Sequence, residues 1–190
     1  MNYLHIHLFQ KLSLKTASLY SIINKTPKPT QTQEEHNVEI KKLTVRELDI
    51  LTELYDYNDV EQMLLENAEN IRNGSIDIFV LYNGEGAAVG ELHVMYESDD
   101  ESFAVRGRRA YLFAFRVRQD FQNKGYGTYL LKEVLSVLKK SGYCEFTVGV
   151  EDDNFRAKHI YQALGFDEIL LRKQEEYQGD FYEYDLYLKR

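Results

Sequence analysis

Cysteine occurs once in the 190 residues, at Cys144, so an internal disulfide is excluded and a reducing, cytoplasmic setting is expected. Cys144 lies among strand-forming residues, where the expectation is a small buried side chain. No apolar run approaches the roughly 18 residues of a membrane span, so none is expected. A surplus of basic residues is also missing: the formal charge is −8. Residues 1–37 hold four of the 23 lysines and arginines and two of the 31 acids. That leaves 19 basic against 29 acidic residues in 38–190, a balance of −10. A nucleic-acid partner, which needs a basic face against phosphates, is excluded on that ground. An acidic balance suits a cationic substrate such as an amine, although it also serves solubility alone. The five histidines are scattered without metal-ligand spacing, so no metal is expected.

Proline is nearly absent too. Pro27 and Pro29 are the only two, both within the polar, aperiodic stretch "NKTPKPTQTQEEHN". That stretch reads as a linker, giving an N-terminal extension and linker over 1–37 and a domain over 38–190. The first 25 residues lack acids and mix apolar residues with lysines, but show no clear secretory signal. A loosely attached extension is one reading. An amphipathic helix that contacts a partner, or joins two copies in a homodimer, is the other.

From Val38 onward there are strong local signals. "VEIKKL" reads as a strand, and Thr44 with Glu47 forms a capping box ahead of Leu48, Leu51 and Leu54. Asp59 with Gln62 opens a second helix that stops at Asn73-Gly74. "IDIFVLYNGEGAAVGELHVMY" is a hairpin around Asn83-Gly84. "ESDDES" and "RGRR" read as a long solvated loop before the strand "AYLFAFRV". A helix is expected from about Gly127 to Ser141, then the strand "CEFTVGV", a helix from Asn154 to Leu164, and a closing hairpin. Antiparallel strands early and strand–helix–strand units later give an α+β, or mixed α/β, domain around one sheet.

Chemistry concentrates in "QNKGYGTYLL", residues 122–131. Two glycines stand at the mouth of a helix whose first turn holds no acid, and Lys124 precedes them. Free N–H groups, the positive end of the helix dipole and Lys124 all favour an anion such as a phosphate group. A tight strand-to-helix corner would use the same glycines for geometry alone. The Walker phosphate loop fails here, because Thr128 and Tyr129 follow Gly127; the dinucleotide fingerprint fails because Leu130 stands where its third glycine belongs.

Gln122-x-x-Gly125-x-Gly127 after a strand resembles a motif of the GNAT superfamily of acyl-CoA-dependent N-acetyltransferases. A second signature of that family is matched downstream by Asn154, Ala157, Tyr161, Gly165 and Phe166 in "NFRAKHIYQALGF". Together the two span residues 110–166, and the element order fits from about Val38 to Arg190. The resemblance implies a central mixed, mostly antiparallel sheet flanked by helices, with a splayed cofactor cleft. It implies acetyl-CoA as co-substrate, with Phe115, Arg116 and Val117 along the pantetheine. Gln122, Asn123, Lys124, Gly125, Tyr126, Gly127 and Thr128 would wrap the pyrophosphate, and Asn154 would contact the cofactor. Tyr161 resembles the general acid that protonates the departing thiolate. A core aromatic beside Ile160 and Leu164 is the alternative for Tyr161.

The base is open. Some members carry a glutamate five residues before the asparagine, and this chain has Gly149 there. Glu91 and, second, Glu151 are the candidates, each equally readable as a solvated strand residue. The C-terminal "EEYQGDFYEYDLYLKR" alternates acidic and aromatic residues, either for strand propensity at an exposed edge or as a rim for a cationic amine. The acceptor would be a small-molecule or protein amine. A non-catalytic acyl-CoA-binding or regulatory module is the alternative function.

Overall fold

The structure is a computed structural model and describes residues 38–54, 59–177 and 180–190. The extension and linker expected over 1–37 lie outside the described residues. Seven strands form one sheet: β1 (Glu39–Lys42), β2 (Ile76–Tyr82), β3 (Ala88–Met95), β4 (Arg109–Val117), β5 (Glu145–Glu151), β6 (Glu168–Tyr177) and β7 (Asp180–Lys189). Their spatial order is β1-β2-β3-β4-β5-β7-β6. Every neighbouring pair is antiparallel except β4 with β5. The expected α+β fold with a mixed, mostly antiparallel sheet is therefore the observed one.

Helices cover both faces. A 3-10 turn, Val45–Ile50, leads into α1 (Leu51–Leu54). Glu47 accepts from the Thr44 backbone N–H at 2.9 Å, closing the expected capping box. An α-helix was expected throughout this stretch. Leu48, Leu51 and Leu54 recur at a strict three-residue interval and are all buried, which suits the three residues per turn of a 3-10 helix. In α2 (Val60–Arg72), Asp59 caps the Gln62 N–H at 3.0 Å, and Gly74 ends the helix with φ +71°.

On one face α1 and α2 pack with Ile76, Ile78, Val80, Tyr111, Phe113 and Tyr184. The other face is covered by α3 (Tyr126–Lys140) and α4 (Phe155–Ala163). From α3, Leu130, Leu131, Val134, Leu135 and Leu138 are buried against Leu92, Leu112 and Phe146, each worth about 2 kcal/mol of apolar burial. Among the described residues no helix is long and apolar enough to cross a membrane.

Three local expectations are corrected. The β2–β3 hairpin turns not as a tight Asn83-Gly84 pair but over five residues, Asn83 to Ala87. The Asn83 side chain accepts from the Glu85 and Ala87 N–H groups, and Gly86 takes φ +80°. The 97–108 connection is not merely solvated: Phe103 and Ala104 are buried, Phe103 packs edge-on against Tyr111, and Asp100 bonds Lys173 at 2.7 Å. An aromatic in the middle of a charged run anchors it. Cys144 is exposed, because it precedes β5 on the turn leaving α3.

Candidate active site

The pairing of β4 with β5 covers only four positions, Arg109–Leu112 against Glu145–Val148. Beyond them β4 stays with β3 as far as Val117 opposite Gly90, while β5 stays with β7 as far as Glu151 opposite Tyr184. The two strands therefore part inside the sheet. A bulge marks where β4 turns away. Glu91 pairs with Arg116 and His93 with Phe113, so Leu92 faces both Ala114 and Phe115, and Ala114 takes φ +47°. The parted edges, Phe113–Val117 and Gly149–Glu151, present backbone N–H and C=O groups that the β4–β5 ladder no longer uses. An extended amide-bearing chain is the natural complement to such edges.

The 122–131 segment closes one end of this seam. Asn123 at φ +61° and Gly125 at φ +88° bend the chain into α3, and no side chain caps the helix. Its first turn carries no acid, so the N–H groups of that turn and the helix dipole are directed outward. Gly127 has a different task from Gly125. A Cβ there would meet Phe115 Cζ at 3.2 Å and Val117 Cγ2 at 3.4 Å, so the missing side chain lets α3 press onto the end of β4. The Phe121 ring sits under two cations, Arg118 at 5.3 Å and Lys124 at 5.2 Å, and edge-on to Tyr126. The Gln122 amide donates to the Val117 carbonyl at 2.9 Å, tying the loop to the strand end. Uncapped amides, two bulk-free positions and nearby cations fit a diphosphate. The free strand edge leading to them fits a pantetheine arm.

From the far side, α4 brings Tyr161 to the seam. Asn154 caps α4 by accepting from the Ala157 N–H at 3.0 Å, which leaves its amide nitrogen turned outward from that bond. Tyr161 is the one buried residue of α4, packed between Phe115 at 6.2 Å and Phe166 at 5.4 Å. Burial pushes its phenol well above the ordinary value of about 10, and no described residue accepts its hydroxyl proton. The Tyr111 phenol lies on the other face. Burial and then the neighbouring Tyr161 phenol hold it up as well.

Glu91 is not brought beside Tyr161. It lies on the α1–α2 face, wholly buried, with its carboxylate 3.1 Å from Arg116 Nη1 and 3.1 Å from His93 Nε2. Arg116 thus gives its backbone to the seam and its side chain to Glu91. Glu151 stands across from Tyr184 at the end of β5, and His159 is exposed on α4. Among the described residues, no three His, Cys, Asp or Glu side chains come together to hold a metal.

The sequence reading missed Arg156, which donates to Asn123 Oδ1 at 2.8 Å and Gln122 Oε1 at 3.3 Å from the first turn of α4. The overlooked signal was a cation in a helix's first turn, where the dipole disfavours it unless something outside holds it. Glu175 as a partner of two tyrosines was also invisible, because it depends on strand register; His93 beside Glu91 follows from alternation along one strand and was overlooked.

Residues 39–166 match the acetyltransferase (GNAT) family. Over 64 residues the chain is 34% identical to the [ribosomal protein bS18]-alanine N-acetyltransferase of Escherichia coli strain K12, covering 34% of this chain. The stretch spans 43% of that relative's length. The crystal structure of the ribosomal-protein-alanine N-acetyltransferase from Brucella melitensis aligns with a TM-score of 0.65 at 19% identity, covering 80% of this chain and 98% of that one. An acetyltransferase from Salmonella typhimurium, solved with acetyl-CoA, aligns with a TM-score of 0.61 at 16% identity over 80% of this chain and 92% of that one. These likenesses show a shared fold.

Proposed function

Because the chain belongs to the acetyltransferase (GNAT) family, we propose that it transfers an acetyl group from acetyl-CoA to a primary amine by direct attack on the thioester, with Tyr161 as general acid. The single observation that carries this reading is the buried phenol of Tyr161. It lacks a described acceptor and packs on Phe115, on the strand edge where β4 and β5 no longer pair. The seam of Phe115, Arg116 and Val117 holds the extended arm by its backbone. Gln122 to Thr128 wrap the diphosphate, with Lys124 adding charge and Asn154 contacting the cofactor from α4.

In that frame the reaction needs an oxyanion donor, a proton for sulfur and a sink for the amine's proton. Backbone N–H groups at the β4 bulge are the donors for the tetrahedral oxyanion. The hydroxyl of Tyr161, kept protonated by burial, gives its proton to the thiolate as the carbon–sulfur bond breaks. For the amine's proton we assign Glu91 together with His93. The 3.1 Å contact makes the pair the acceptor, since Arg116 already neutralises much of the carboxylate. The acceptor is an amine on a small molecule or a protein, as the names of the relatives suggest by analogy. The lone, reduced Cys144 suits a cytoplasmic protein.

Thiol release from acetyl-CoA in the presence of an amine library tests this directly. Amine-dependent release supports the transferase. CoA binding without release from any amine supports a non-catalytic binding module on the same fold. Truncation at Val38, followed by measurement of oligomer size, tests whether residues 1–37 contribute to a homodimer.

A further inference from the structure

We propose that Glu175, Tyr182 and Tyr184 form a second cation subsite on the acceptor side, so that the preferred acceptor carries a positive charge in addition to its reacting amine. The inference rests on the transferase reading and narrows its substrate class.

Tyr182 donates to one carboxylate oxygen of Glu175 and Tyr184 to the other, each at 2.8 Å. The rings stack with centroids 6.2 Å apart and planes 26° apart. Register explains the arrangement: Glu175 on β6 lies directly across from Tyr182 on β7, and Tyr184 is the next same-face residue. Burial and the bond to Glu175 raise both phenols above their ordinary range, so both remain donors at neutral pH. The carboxylate is thus half-buried and met by neutral hydroxyls only. Among the described residues no Lys, Arg or His forms an ion pair with it. The nearby cations are committed elsewhere: Lys173 to Asp100 at 2.7 Å and over the Phe103 ring, and Arg172 to Asp185 at 2.7 Å. A carboxylate held by two tyrosine hydroxyls, with no counter-ion among the described residues, is complementary to an ammonium group.

The site is also at the right distance from the chemistry. Tyr184 pairs with Glu151 at the end of β5, on the face that carries Tyr111. Tyr161 and Glu175 both hold the Tyr111 phenol up, after burial. Glu175 lies two strands beyond β5, with the seam on the other side of β5, so about 12 Å of sheet separates them at the usual strand spacing of about 4.8 Å. An extended five-carbon diamine separates its nitrogens by about 7–8 Å, and a contact of about 3 Å at each end completes the span. With one nitrogen at the thioester, the other reaches Glu175.

The test compares 1,5-diaminopentane with 1-aminopentane, two probes with the same reacting end and one charge of difference. Binding to the full chain saturated with CoA is measured by calorimetry, so the readout does not depend on turnover. The wild type is expected to bind the diamine at least tenfold more tightly. Glu175→Gln, which keeps an acceptor for a tyrosine, is expected to lose that preference and leave the monoamine unchanged. Tyr182→Phe, which keeps the carboxylate, is expected to weaken the diamine severalfold. Equal binding of the two amines, binding of neither, or an equal loss for both in Glu175→Gln would overturn the subsite. Thiol release on acetyl-CoA in parallel reports separately on the transferase. Release without diamine preference sinks the subsite alone, and diamine preference without release sinks the transferase reading alone.

Discussion

Arg156, in the first turn of α4, reaches across the cleft mouth to Asn123, its guanidinium 2.8 Å from the Asn123 side-chain oxygen. The residue it holds has φ +61°, a left-handed conformation with an intrinsic cost of about 1–2 kcal/mol. The same guanidinium touches Gln122, whose amide is bonded to the Val117 carbonyl. One cation therefore links α4, the anion loop and the end of β4. Replacing it with alanine should free the loop without touching the reacting atoms. Arg156→Ala is expected to raise the KM for acetyl-CoA about tenfold and to leave kcat within about twofold, read from steady-state thiol release. A drop in kcat at unchanged KM would contradict a positioning role.

Tyr161→Phe removes a hydroxyl and little else, since the ring contacts with Phe115 and Phe166 survive. Loss of general acid catalysis predicts a fall in kcat of about 100-fold or more, with CoA affinity by calorimetry nearly unchanged. Because burial raises this phenol, the wild-type rate should show no alkaline loss attributable to Tyr161 up to about pH 10. A variant that turns over at the wild-type rate would remove Tyr161 from the mechanism.

The two loop glycines should fail differently when changed to alanine. At Gly125 the added carbon meets nothing within 4 Å, but φ +88° strains it, predicting a stability loss of about 1 kcal/mol. At Gly127 the carbon meets Phe115 at 3.2 Å, so the Phe115 ring or α3 must give by a few tenths of an ångström. That predicts a stability loss of about 1–2 kcal/mol, together with weaker CoA binding than in Gly125→Ala. Chemical denaturation and calorimetry on both variants separate the cases.

Acid should weaken the fold through its depressed carboxylates. Asp185, nearly buried, accepts from Arg172 at 2.7 and 3.1 Å, which holds its pKa below the ordinary value; Glu145, beside Arg109, is depressed as well. A lowered folded-state pKa gives stability that is complete above the unfolded value of about 4 and is lost as pH falls through the folded value. Asp185→Asn should therefore lower Tm by several degrees at pH 7, and the difference from wild type should shrink below about pH 4. A constant difference across that range would exclude the linkage.

What could be read from the chain was local. The Thr44–Glu47 and Asp59–Gln62 caps, the glycine stops at Gly74, Gly142 and Gly165, and the apolar stripe of α3 all appear where residue chemistry places them. The anion loop and Asn154–Tyr161 were legible because each is a short motif with a family resemblance. Contacts set by register were not. Nothing near Glu91 announced Arg116, 25 residues away, as its partner. Cys144 was misplaced because its strand-like neighbours hide that the strand begins one residue later. Phe103 was assigned to solvent because the charges around it outvoted one ring.

Four residue pairs are all that the β4–β5 ladder contributes to joining β1–β4 to β5–β7. The sheet is thus two half-sheets riveted at one end, with packing against the flanking helices carrying the remainder. A strand edge left open in the interior is a place where foreign chain can dock, a hazard that proteins ordinarily hide at their margins. Here the guest that fills the gap would also lace the halves together. Occupancy of the cleft then becomes a mechanical property of the whole molecule, and the protein is most cohesive while it is charged for work.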